Sequence, residues 1–292
     1  MNRENQQNQL EEQFGIIVML DALGISSYSL DQCRAYIDKQ NKIRKDLERK
    51  QQSLEEYNFF KNASTAIFGD TIVICFPITE SDNTPKISIL AWISWYLGSL
   101  IHLGIHNQIL LRGCISIGKY IKNENIVLGP AIFDAHDWYE SADWFGIIYS
   151  PKSRLWIDSE IEKEKLEKKD DSLLGLFELS TVKYKVPLVR NRNEIPTKEF
   201  WAIAWPSFYS SQKPHLGKFG FLTEELFEMP MSKEGESKFQ NSIDFFKWYE
   251  KESLIKQEKL LKENRIAIEP NPVSNCDHDR DTPKKTRSRS KK

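Results

Sequence analysis

An α+β fold with a ferredoxin-like core is what the order of elements predicts, and three observations carry it. The run Phe14 to Leu20 is short, continuous and rich in Ile and Val, the pattern of a buried strand. Gly69-Asp70 is a turn dipeptide between two strand-like runs, Thr65 to Phe68 and Thr71 to Pro77, and marks a hairpin. Helical stretches separate these from their neighbours. The resulting order, strand, helix, two strands, helix, strand, builds an antiparallel sheet with helices on one face and sets the first strand beside the central hairpin.

The elements follow in turn. Ser29 to about Tyr57 holds Leu, Gln, Lys and Glu without Pro or Gly and reads as a long helix, polar nearly all round from Lys39 to Glu56. Ile87 to Ile105 lacks Asp, Glu, Lys and Arg and by length alone could cross a membrane. Ser88, Ser94, Gly98, Ser99, His102 and Gly104 dilute it, however, and Trp92, Trp95, Ser99, His102 and His106 recur at helical spacing. This is a helix lying against a sheet, its mixed stripe at a subunit contact or solvent, and no membrane span is expected. Ile109 to Gly118 is a further strand, followed by a hairpin around Asn123-Glu124-Asn125, a helix from Pro130 to Asp143 and a strand from Trp144 to Tyr149. A charged helix from Asp158 to about Asp171 precedes two strand-like runs, Leu179 to Val189 and Glu199 to Trp205, joined by an Arg190 to Thr197 loop. Ser207 to Lys218 is loop-like, and a last helix runs from Ser242 to about Arg265. The domain reading is a polar lead (1–14), a catalytic domain (15–206), a helical extension (207–265) and a disordered basic tail (266–292).

Composition narrows the function. The 292 residues are 40% hydrophobic with eight Trp, ample for a packed core. The net charge of -1 hides six Lys or Arg after Pro283, so the body is about seven units negative. That excludes a nucleic-acid-binding body, and no DNA partner is expected. Cys33, Cys75, Cys114 and Cys276 show neither zinc spacing nor a disulfide framework, and the polar start has no secretory pattern; a reducing, cytoplasmic setting fits.

The candidate chemistry lies in two carboxylates. Asp21 ends the first strand and Asp70 tips the hairpin; a lone charge at such positions needs a cationic partner. Strand order brings both towards one point. With the backbone carbonyl of Ala22 they form a hard-oxygen set suited to Mg²⁺ or Mn²⁺. Leu23, Gly24, Ile25 and Ser26 open the long helix, where free N–H groups can hold a triphosphate. Arg112 and Lys119, with Lys122, are the nearest cations. His136 and Glu140, four apart, read as a surface pair.

These segments resemble the class III nucleotidyl cyclases, most closely the bacterial pyrimidine cyclases of the Pycsar antiphage system. Leu20 to Ser26 and Phe68-Gly69-Asp70 are similar to the two metal motifs, Arg112 to Gly118 to the following core strand, and Gly129 to Ala142 to the helix after it. Ala142-Asp143-Trp144, Lys185 to Leu188 and Ala202 to Trp205 extend the likeness, which covers residues 15 to about 206. The resemblance implies the class III fold and a homodimer with active sites at the interface. It implies two divalent cations, Mn²⁺ or Mg²⁺, and closure of a nucleoside triphosphate to its 3′,5′-cyclic monophosphate. The product would be read by a separate effector.

The departures point away from purines. Where purine cyclases carry Asn and Arg, this chain has Phe133 and Asp137; where they read the base with Lys and Asp, it has Ala66 and Ile126. Neither of the latter can hydrogen-bond a base edge. UTP, ahead of CTP, is the expected substrate, in a base pocket near Ala66, Phe133 and Trp144. A purine cyclase with atypical base reading is one alternative; a cyclase-like nucleotide- or protein-binding module without chemistry is the other.

Overall fold

A computed structural model of the protein describes residues 11–25, 28–52, 57–79, 84–123, 126–167, 171–189, 199–208 and 235–268, with isolated positions between 220 and 229. Ser26, the Arg190 to Thr197 loop and the basic tail lie outside the described residues, as does most of the Ser207 to Lys218 loop. The central strand β1 (Glu11–Ala22) is followed by α1 (Leu30–Gln52), a short α2 (Asn58–Lys61), β2 (Ser64–Phe68), β3 (Thr71–Pro77), α3 (Lys86–His106) and β4 (Leu111–Lys122). Next come β5 (Val127–Leu128), α4 (Pro130–Tyr139), β6 (Gly146–Tyr149), α5 (Pro151–Glu167), α6 (Asp171–Ser180), β7 (Thr181–Tyr184), β8 (Phe200–Ile203) and α7 (Glu236–Ile268).

The sheet order is β2-β3-β1-β4-β6-β8-β7, with β5 on β4. Its first four strands pair antiparallel in the ferredoxin-like order that the sequence predicts. Two details differ from the expectation. β4 pairs β6 in parallel, so the sheet is mixed. Helices also cover both faces: Ile16, Val18 and Leu20 of β1 belong to the core that holds α3, whereas Ile17 and Met19 pack with Cys75 and with Ala131, Ile132 and Ala135 of α4. The period of two along β1 therefore serves two layers, which is why the strand is apolar without a break. Ser116 and Ser150, both fully buried, donate to one oxygen of Asp134 and tie α4 to its face. Between the central strands there is no room for a side chain at Gly113, where a Cβ would lie 2.4 Å from the Met19 carbonyl oxygen.

Helix α3 is long and apolar enough to cross a membrane, yet 78% of its apolar window is buried within the fold. Trp92 and Trp95 of the stripe expected at a subunit contact or solvent are half-buried and meet Tyr57 and Phe208 of the same chain. Two sequence readings shift here. Residues 171–180 form α6, with Leu179 in its last turn rather than in a strand, and α5 starts at Pro151, which suits a first helical position.

Contacts divide the chain into a unit ending at Glu250 and a second from Lys251 to Lys292, helical as far as Ile268. Within the first unit the opening turns of α7 are fastened to the junction before β6. Asp143 takes Ser237, Asn241 and Lys238, and Ser242 accepts the Phe145 N–H at 2.8 Å.

Asp158 of α5 fastens the other edge. It accepts the Trp201 indole N–H at 3.1 Å and pairs with Lys183 and Arg154. Burial pushes its pKa up, but the hydrogen bonds from Trp201 and Lys183, the Lys183 charge and the Arg154 bond outweigh it, and the net shift is downward. A carboxylate held below its unfolded pKa adds stability above that value and loses it as pH falls through the folded one. Thermal stability of the Asp158→Asn variant is therefore expected to depend less on pH below about 4 than that of the parent; parallel melting curves between pH 5 and 3 would exclude this role.

Candidate active site

Asp21 is the last residue but one of β1, and its strand neighbours are Thr71 of β3 and Arg112 of β4. By alternation it shares the sheet face of Ile17 and Met19, below the end of α4. Asp70 lies in the turn just before β3, and its backbone oxygen accepts the Ala22 N–H at 3.3 Å, so strand end and hairpin tip are tied together. The two carboxylates are thus neighbours. The negative charge of Asp70 disfavours ionisation of Asp21 and is among the causes that lift the Asp21 pKa.

Arg112 is not an open cation. Its Nε and Nη2 both donate to Asp21 Oδ2, at 3.1 and 3.0 Å. Nη1 donates to the Glu140 carbonyl at 3.2 Å, and Nη2 lies 3.6 Å from Glu140 Oε1. The pair is mostly buried, with side chains 13% and 11% exposed. Burial raises the Asp21 pKa above the usual carboxylate value, opposed by the charge and hydrogen bonds of Arg112. Glu140, read from sequence as the surface partner of His136, meets Arg112 instead; the His136 ring lies against Tyr139.

Two phenols complete the surroundings, and sequence reasoning missed both. Tyr36 of α1 and Tyr139 of α4 are each pushed up to about 12. For Tyr36 the causes are burial and then the charges of Asp70 and Asp21; for Tyr139 they are burial and then Glu140. At neutral pH both remain protonated and can only donate towards the carboxylates. A Tyr two turns into α1 and another at the last residue of α4 carry no distinctive local signal.

The other expected site residues scatter. Lys119 stands opposite Phe14, seven residues along β4 from Arg112, roughly 24 Å away at ~3.4 Å per residue, and pairs with Glu12 on the surface. Within one chain it lies too far away to serve a phosphate at Asp21. Trp144 is fully buried, stacked on Tyr184 and edge-on to Phe245, so it is core rather than base pocket. Ala66 is exposed on β2 opposite Val73, on the α4 side of the sheet. Phe133, 54% exposed, sits in the first turns of α4, about 10 Å along the helix from Glu140. Leu23, Gly24 and Ile25 form a turn, with Gly24 at φ +84°, where a Cβ is strained. The Leu23 N–H is spent on the Leu110 carbonyl at 2.8 Å. The helix itself opens later, at Leu30, where Ser29 and Gln32 cap each other's backbone N–H.

The donor chemistry fits a hard divalent cation. Asp70, the second oxygen of Asp21 and the Ala22 carbonyl are oxygen donors of the type Mg²⁺ and Mn²⁺ prefer. Among the described residues no group of three His, Cys, Asp or Glu side chains converges to hold an ion.

No protein-family model matches the chain, and no curated protein matches it. Among solved structures it is similar to the catalytic core of a rhodopsin-guanylyl cyclase with converted specificity, in complex with ATPαS, at 11% identity and a TM-score of 0.37. The match covers 66% of this chain and 97% of that one. The fold assignment therefore stands on the strand order itself.

Proposed function

We propose that the protein is a nucleotidyl cyclase that closes a pyrimidine nucleoside triphosphate, UTP ahead of CTP, to its 3′,5′-cyclic monophosphate with release of pyrophosphate. The observation that carries the reading is the meeting of Asp21 and Asp70 at adjacent strand ends of a ferredoxin-like sheet. A bound Mn²⁺ or Mg²⁺ would favour ionisation of the attacking 3′-hydroxyl and neutralise charge on the leaving phosphates. Asp70 and the second oxygen of Asp21 would hold that ion, Arg112 keeps Asp21 oriented, and the Gly24-Ile25 turn, three residues further along the chain, would meet the triphosphate. The 3′-hydroxyl passes its proton to water, its oxygen bonds to the α-phosphorus, and the bond from that phosphorus to the bridging oxygen breaks as pyrophosphate leaves.

Pyrimidine preference is supported by Ala66 and Ile126, which offer no side-chain hydrogen bond to a purine edge. A homodimer is supported by β2, an edge strand that exposes Ile67 (44%) and Phe68 (89%) next to Asp70. A cytoplasmic signalling role in antiphage defence, with a separate effector for the product, completes the proposal. One observation favours a second reading, an inert binding module: Arg112 already neutralises Asp21.

Incubation with each of the four ribonucleoside triphosphates and Mn²⁺ separates these. Cyclic UMP or CMP is expected, falling about 100-fold or more in Asp70→Ala. Turnover of ATP or GTP alone overturns the pyrimidine assignment, and no turnover with any of the four overturns the cyclase reading.

A further inference from the structure

We infer that the Asp21–Asp70 site takes one divalent cation, not two, because the Arg112 guanidinium occupies the side of Asp21 that a second ion would use. This rests on the reading of the two aspartates as a cation site and changes its stoichiometry. A pair of ions ~3.5–4 Å apart is held by carboxylates that lend oxygens to both. Here Asp21 has one oxygen to lend. Oδ2 accepts two N–H groups of Arg112, which leaves Oδ1 and the Asp70 carboxylate for a cation.

The guanidinium is fixed in place by more than one bond. Arg112 and Asp21 are direct partners across the β1–β4 ladder, so their proximity is set by backbone register and not by a surface rotamer. The Glu140 carbonyl holds Nη1 and the Glu140 carboxylate lies beside Nη2; leaving Asp21 would strand a mostly buried charge. Planar and permanently charged, Arg suits such a fork where Lys would not. Charge balance agrees. Asp21, Asp70 and Glu140 against Arg112 leave two negative charges, which one divalent ion cancels. Arg112 is therefore a positioning residue that supplies, as a fixed cation on Asp21, the charge of the second ion.

Counting Mn²⁺ on the full chain by electron paramagnetic resonance, without nucleotide, tests this. The parent is expected to bind one Mn²⁺ per chain with an uncoupled spectrum, and Arg112→Lys, which keeps the charge, also one. Arg112→Met, which frees Oδ2 and removes a positive charge, is expected to bind two, with the spin coupling of neighbouring ions. That gain is something a merely structural arginine would not produce. Two ions on the parent, or a single ion on Arg112→Met, overturns the inference while the cation site stands. No Mn²⁺ on the parent, or binding unchanged in Asp70→Ala, overturns the cation-site reading itself. Should Arg112→Met fail to fold, the parent count and the Arg112→Lys count decide.

Discussion

Asp21→Asn is expected to lose turnover about 100-fold or more and to unfold at lower denaturant, by ~3 kcal/mol. The two losses have separate causes. On the proposed function, turnover falls because the substitution removes the charged oxygen that would hold the cation. Stability falls because Arg112, 13% exposed, is left with an uncompensated charge against Glu140 alone. The figure sits at the lower end of what breaking a buried pair costs, as both side chains keep some contact with solvent and Asn still offers one acceptor. Urea titration of parent and variant measures it from the midpoint shift at constant slope. An unchanged midpoint would show that Arg112 does not rest on Asp21 in solution, and the single-cation inference would lose its footing too.

Trp144→Ala is expected to be the most destabilising single change in the core, by about 3–5 kcal/mol, or roughly 10 °C in melting temperature for a unit of this size. The indole is fully buried and lies 5.6 Å from Tyr184 in a stacked pair and 4.7 Å from Phe245 of α7 edge-on. Gly146 leaves it space, since a Cβ there would approach the indole to 3.0 Å. Loss of the ring would loosen the first turns of α7 along with the β6 junction. Trp144→Phe makes the contrast. The indole Nε1 has no hydrogen-bond partner among the described residues, so Phe forfeits ring area but no bond and is expected to lose only about 1 kcal/mol. Equal effects of Phe and Ala would place the stabilisation elsewhere than in ring packing. Scanning calorimetry on the full chain reads both.

The core topology was legible because each of its signals is local. The Ile and Val run of β1, the Gly69-Asp70 hairpin and the uncharged span of α3 are set by neighbouring residues, and their order leaves few ways to pair the strands. The α3 limits, Lys86 to His106, agree with the sequence reading because Pro85 fixes where the uncharged span can begin and polar Asn107-Gln108 follow its end. By contrast, α6 was read as strand at Leu179, and the Pro130 helix was read on to Asp143. In the structure α4 stops at Tyr139, and Ala142 bridges Leu188. There a tertiary pairing overrides what the local pattern favours.

The site divides along the same line. By itself the sequence determined that two carboxylates stand at strand ends of a ferredoxin-like sheet, since a strand terminus and a turn dipeptide are properties of a few adjacent residues. Only the tertiary structure decided what meets them. Arg112 reaches Asp21 across 91 positions of chain, Glu140 turns from His136 to Arg112, Lys119 falls at the far end of its strand and Trp144 goes into the core. Register, alternation of faces and burial set those partnerships, and they arise from the packing of distant segments, which no local pattern encodes.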